Sequence, residues 1–137
     1  MTRRRRKKLT KRLMDAVRHG DSAAVGAILR AGADPNHADR DGTTPLYQAS
    51  VGGTAEIVRQ FLTAGAAPDA ESGHGDEGTP LCAAAAWGHG DVVRALLDHG
   101  ADPSRREDHG TGCSPLDWAA RGAHSQAVEL LMAARSR

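Results

Sequence analysis

The chain has 137 residues, enough for one domain or a short array with a real core, and only 3% are aromatic, so small side chains carry the packing. Its formal charge of +1 conceals a divide: eight of the 18 Lys and Arg fall within residues 1–12, leaving ten against all 17 acids, a net −7, in the remainder. Two cysteines make no disulfide framework and no run of about 18 apolar residues exists, which excludes a disulfide scaffold and a membrane-spanning helix.

The basic stretch comes first. It comprises Arg3, Arg4, Arg5, Arg6, Lys7 and Lys8, then Lys11 and Arg12, and it holds every lysine of the chain. No apolar segment follows it, so it does not read as a secretory signal, and reduced thiols make the expected setting cytoplasmic. Residues 1–10 are expected to form a flexible arm. Three readings stay open for it: a solvated tail or lead-in to the first helix, a contact for nucleic acid or another polyanion, or a targeting or membrane-surface signal. No aromatics interleave its bases, so base stacking is not indicated.

From residue 11 the chain repeats itself, in units at about 11–38, 39–71, 72–106 and 107–137. The first is degenerate: Leu13, Ala16, Val17 and Gly20 precede Val25, Ile28, Leu29 and Gly32, with Lys11 and Arg12 where a Thr-Pro pair is absent. In the second, Thr44 is an N-cap and Pro45 takes the first helical position. Leu46, Ala49 and Ser50 give the helical spacing, Gly53 stops the helix, and Ile57, Val58, Phe61 and Leu62 line a second helix ending at Gly65. The third unit repeats this with Thr79-Pro80-Leu81, Gly88, then Val92, Val93, Leu96, Leu97 and Gly100. The fourth has Ser114-Pro115-Leu116, Ala119, Ala120, then Ala127, Val128, Leu131 and Met132. There Ala123 stands in for the stopping glycine, at a cost of roughly 1–2 kcal/mol if its backbone is left-handed. A fixed period of 35 residues between the Pro-Leu pairs means a stacked array, each helix pair burying its apolar face against its neighbours.

These strings, TTPLYQASVGGTAEIVRQFLTAGAAPD, GTPLCAAAAWGHGDVVRALLDHGADP and CSPLDWAARGAHSQAVELLMAA, resemble the ankyrin repeat over roughly residues 11–137. The resemblance implies an all-α solenoid of antiparallel helix pairs with loops projecting as fingers. It also implies binding of partner proteins through the concave first-helix face and the fingers. The histidine that commonly follows Thr-Pro-Leu in that family, and links its units, is replaced here by Tyr47, Cys82 and Asp117. Modest stability is therefore expected, with Asp117 as a partial substitute. The last two inter-unit loops are each two residues longer than the first.

Catalytic and metal chemistry find little support. Cys82, His89 and Cys113 lack the short paired spacing of structural zinc sites, and Gly73-His74-Gly75 does not follow a strand as a phosphate loop would. No catalytic residue, cofactor or metal is expected. His89 and His124 hold equivalent places after the first helix of their units, where a ring can bond local backbone. Recognition has better candidates. Arg18, Val51, Trp87 and Arg121 sit at the outward ends of the first helices, and Arg40, Asp41, Asp76 and Glu77 lie in the fingers. Trp87 is either a binding anchor or a packing residue against the neighbouring finger. The leading expectation is a monomeric, non-catalytic module that binds another protein. The alternative is a polyanion binder, for nucleic acid or anionic lipid, that uses Arg3 to Lys8 with the repeats as scaffold.

Overall fold

Every Thr/Ser-Pro-Leu triplet starts a helix for the same local reason. Thr44, Thr79 and Ser114 have extended backbone, and their hydroxyls accept from the N–H of Tyr47, Cys82 and Asp117 at 3.2 Å. The proline that follows occupies a position needing no N–H. At Ser114 the cap is reciprocal, because the Asp117 carboxylate accepts the Ser114 N–H at 3.0 Å. Asp117 is thereby spent within its own unit and does not link units.

The computed structural model describes residues 2–75 and 77–136, with backbone alone for Gly75 and His109. The finger candidate Asp76 lies outside the described residues. Among them run α1 (Arg3–Arg18), α2 (Ser22–Arg30), α3 (Pro45–Gly52), α4 (Ala55–Thr63), α5 (Pro80–Trp87), α6 (Gly90–Asp98), the single turn α7 (Glu107–Gly110), α8 (Pro115–Arg121) and α9 (Ser125–Arg135). A 3-10 turn at Gly73–Gly75 marks the second finger. The helices form two rows: α1, α3, α5 and α8 pack in sequence as an inner layer, and α2, α4, α6 and α9 as an outer one.

Side-chain size explains the layering. The outer row supplies bulk: Val25, Ile57, Val58, Phe61, Val92, Val93, Leu96 and Leu131 are fully buried. The inner row supplies Leu13, Leu46 and Leu81 beside Ala49, Ala84, Ala85 and Ala119, so neighbouring inner helices approach closely. Each buried Leu or Val contributes roughly 1.5–3 kcal/mol relative to exposure. Most of that burial is against the next unit, so the units fold together.

The basic residues from Arg3 on are helical, because α1 runs unbroken from Arg3 into the first unit. Thr2 caps it by accepting the Arg5 N–H at 3.2 Å, Arg and Lys are good helix formers, and Leu9, Leu13 and Met14 anchor its middle in the stack.

The fingers close on a shared backbone bond: Asp39 N–H to Thr43 carbonyl (3.0 Å), Ser72 to Gly78 (2.8 Å) and Glu107 to Cys113 (3.0 Å). The two additional residues of the later loops fall inside that closure, at the fingertips. Helix ends differ more. Gly53 and Gly88 are left-handed, at φ 77° and 75°, and a Cβ on either would collide with the ring of His89 or His124 from the next unit. Ala123 takes the equivalent conformation at φ 55° without being glycine. Replacing Gly88 by Ala is thus expected to cost about 2 kcal/mol or more, from both strain and collision. Ala123→Gly is expected to gain about 0.5–1 kcal/mol, the relief of strain less the added freedom of the unfolded chain. Urea denaturation midpoints of the two variants check both signs.

Candidate functional site

The outward ends of the inner helices and the fingers carry the candidate residues, and hydrogen bonds between units decide which of them stay available. Two bonds were not foreseen in this form. The Nε2–H of His89 donates to the Val51 carbonyl and that of His124 to the Ala86 carbonyl, both at 3.0 Å. Each ring reaches back 38 residues, to the end of the preceding inner helix, where local backbone had been expected. These histidines supply an inter-unit link in a chain that has no histidine after Pro-Leu. Their recurrence at the same place in two units was the sequence signal; which carbonyl they meet depends on stacking.

Trp87 ends α5 and is 63% exposed. The His124–Ala86 bond ties the end of α5 to the start of α9, which brings Trp87 close to the end of α8. There Arg121 lies over the Trp118 ring, 5.4 Å from its centroid, and is itself exposed. Val51 is half-buried and lends its carbonyl to His89. The neighbouring inner helices α5 and α8 thus end on one exposed indole and one guanidinium already oriented by an aromatic face.

The fingers are more committed than their composition suggests. Arg18 reaches Asp39 at 3.3 Å and Asp15 at 3.6 Å, and joins the first inner helix to the first finger. Asp39 also accepts the N–H of Asp41 (2.9 Å) and of Thr43 (3.0 Å), an organising role that the sequence reading missed although Asp-Arg-Asp-Gly is a turn sequence. Arg40 and Asp41 remain exposed at that tip. Glu77 instead turns inward, accepting from Thr43 Oγ1 (2.9 Å) and Ser72 Oγ (2.7 Å), while Ser72 Oγ accepts the Thr44 N–H (3.0 Å). It stitches the first finger to the second, which removes it from the free surface.

Cys82 is placed against thiol chemistry. Cys82 is 1% exposed, its Sγ directed at the Cys113 carbonyl 3.8 Å away. Burial pushes its thiol up to about 12, with the Thr79 hydroxyl opposing the rise and Glu107 adding to it. Burial likewise raises Glu107, against the Trp118 indole and the Cys82 thiol, which favour its ionised form. The Trp118 N–H nevertheless makes no bond of full hydrogen-bonding geometry. Among the described residues no three His, Cys, Asp or Glu converge on one point, and no helix is long and apolar enough to cross a membrane.

Comparison with known families matches residues 13–107 and 74–136 to ankyrin repeats (3 copies). The chain is 43% identical over 54 residues to potassium channel KOR1 of Oryza sativa subsp. japonica, a match covering 39% of this chain and 6% of the channel. It is 41% identical over 61 residues to potassium channel AKT3 of the same plant, covering 44% of this chain and 7% of the channel. Zygote-specific protein 3 of Chlamydomonas reinhardtii is 42% identical over 59 residues, covering 43% of this chain and 16% of that protein. The chain therefore spans a small fraction of the relatives it matches.

His89→Ala and His124→Ala are each expected to lower unfolding free energy by about 1–2 kcal/mol, by leaving a carbonyl at the seam without its donor; calorimetry or urea melts measure this. Alkylation at mildly alkaline pH should label Cys113 first and Cys82 only on unfolding. Stability is also expected to fall as pH rises above roughly 8.5, where the unfolded chain releases a thiol proton that folded Cys82 retains. Cys82→Ala should flatten that dependence.

Proposed function

This chain belongs to the ankyrin-repeat family, whose repeats generally serve protein–protein interaction, and we propose that it is a non-catalytic module that docks one partner protein. The observation that carries the reading is what the two packed inner helices α5 and α8 present at their ends: an indole 63% exposed on one and a guanidinium held over Trp118 on the other. Exposed Trp flanked by Arg is the composition of interface hot spots. Little side-chain entropy is lost on binding, because Trp is rigid and the Trp118 ring orients Arg121 beforehand. Trp87 serves as the apolar anchor and Arg121 as the charge-assisted donor to a partner carboxylate. Exposed Arg40 and Asp41 at the first fingertip and half-buried Val51 at the end of α3 are assigned to the same docking surface. Arg18 acts one step removed, by holding the first finger through Asp39.

The same reading places the module in the cytoplasm as a monomer, where Cys82 and Cys113 stay reduced. No residue is assigned to catalysis: Cys82 is buried, and burial holds its thiol protonated.

Affinity capture from the source cells with the wild-type chain, beside Trp87→Ala and Arg121→Ala, tests the proposal. The partner is the protein retained by the wild type and lost from both variants. Once it is identified, Trp87→Ala should weaken binding by about thirtyfold or more, the effect of a 2 kcal/mol hot spot. Equal retention by all three chains would move the docking surface elsewhere.

A further inference from the structure

We propose that the first turns of α1 bind B-form duplex DNA by its phosphate backbone, independently of the docking surface at Trp87. Arg3, Arg4, Arg5, Arg6, Lys7 and Lys8 are consecutive and all exposed, and Lys11 and Arg12 follow, also exposed. Among the described residues no ion pair neutralises any of them; both ion pairs there belong to Arg18.

This arrangement opposes the stability of its own helix. The first turn of α1 holds no acid, so cations crowd the positive end of the helix dipole. Arg3 with Lys7, Arg4 with Lys8, Lys7 with Lys11 and Lys8 with Arg12 are like-charge neighbours at i, i+4, a repulsive spacing. The helix forms regardless, through the Thr2 cap and the burial of Leu9 and Leu13. An external polyanion would relieve that repulsion, and no ion pair within the described residues does so.

The placement of the charges selects the polyanion. Arg3, Arg6, Lys7 and Lys11 line an open groove with His37 to Asp41, Arg5 and Arg12 line a hollow beside Ala31, and Arg4 and Lys8 border both. Cations thus surround the helix instead of marking one stripe. A flat anionic membrane would engage only one side, and the apolar residues that would insert into it, Leu9, Leu13, Met14 and Val17, are buried in the stack. A single strand would call for aromatic platforms, which the segment lacks. The major groove of B-form DNA, about 12 Å wide, admits one helix and presents phosphates on both walls. The deep, narrow major groove of A-form RNA does not. Asp15, Asp39 and Asp41 line that same groove, and the body beyond residue 12 is net −7, so duplex contact is confined to the basic first turns of α1. Phosphate contacts of this kind are sequence-independent.

Fluorescence anisotropy with a labelled DNA duplex of about 20 base pairs tests this, using the full chain in about 50 and about 200 mM salt. With five to six phosphates engaged, affinity should fall on the order of a thousandfold between the two conditions. A variant carrying Arg3→Gln, Arg4→Gln, Arg5→Gln, Arg6→Gln, Lys7→Gln and Lys8→Gln should bind at least about a hundredfold more weakly in low salt, with a much shallower salt dependence. Its melting temperature should not fall, since none of the six is buried. Absence of duplex binding in low salt, unchanged affinity in the variant, or tighter binding to phosphatidylserine vesicles than to the duplex would each overturn the proposal. Trp87→Ala should bind DNA as the wild type does, so failure here and failure of the docking reading are separable.

Discussion

The structure depends on the seam between successive helix pairs. One pair has a broad apolar stripe and nothing of its own to cover it. Val92, Val93 and Leu96 leave water because α4 and α9 close on α6 from either side, while Ala84 and Ala85 are covered by α3 and α8. Small inner residues set the approach distance and large outer ones fill the space, so the two rows have different compositions. Aromatic rings are dispensable in this arrangement, and Phe61 is the one such ring fully buried among the described residues.

Apolar contact alone would let units slide, and polar bonds at both ends of the seam fix their register. On the inner side His89 and His124 reach back to the helix before them. Between the outer helices and the fingers, the Asn36 side chain bonds both the Gly65 carbonyl and the Ala67 N–H, and Asp69 accepts the Asp102 N–H in the corresponding place. The first seam differs, because Thr54 stands where the later units have histidine. There Gln60 donates to the Ser22 carbonyl and Arg18 reaches Asp39. These substitutes suit a first unit whose helix is long and charged.

Function follows from what the seam leaves over. Glu77 and the two histidines, which satisfy neighbouring units, are largely withdrawn from the surface. What remains is sharply divided: an aromatic and a guanidinium at the later units, and a cylinder of cations at the first turns of α1. A scaffold stabilised by nearest-neighbour contacts tolerates such unlike surfaces at opposite ends, because neither lies in the path of the packing.

The fold itself was legible in the sequence. Thr-Pro caps, glycine stops and a 35-residue period are local or periodic signals, and local backbone chemistry is enough to produce them. The extra fingertip residues could be counted, and the strain at Ala123 could be anticipated from its alignment with Gly88. The partners of polar side chains were not legible. Whether Glu77 faces solvent or stitches two fingers, and whether His89 bonds its own loop or Val51, depends on the orientation of one unit on the next. The same holds for the helical state of the basic stretch in α1. Repulsion among its bases is visible residue by residue, but the burial of Leu9, Leu13 and Met14 that overrides it arises only once the neighbouring helices are in place.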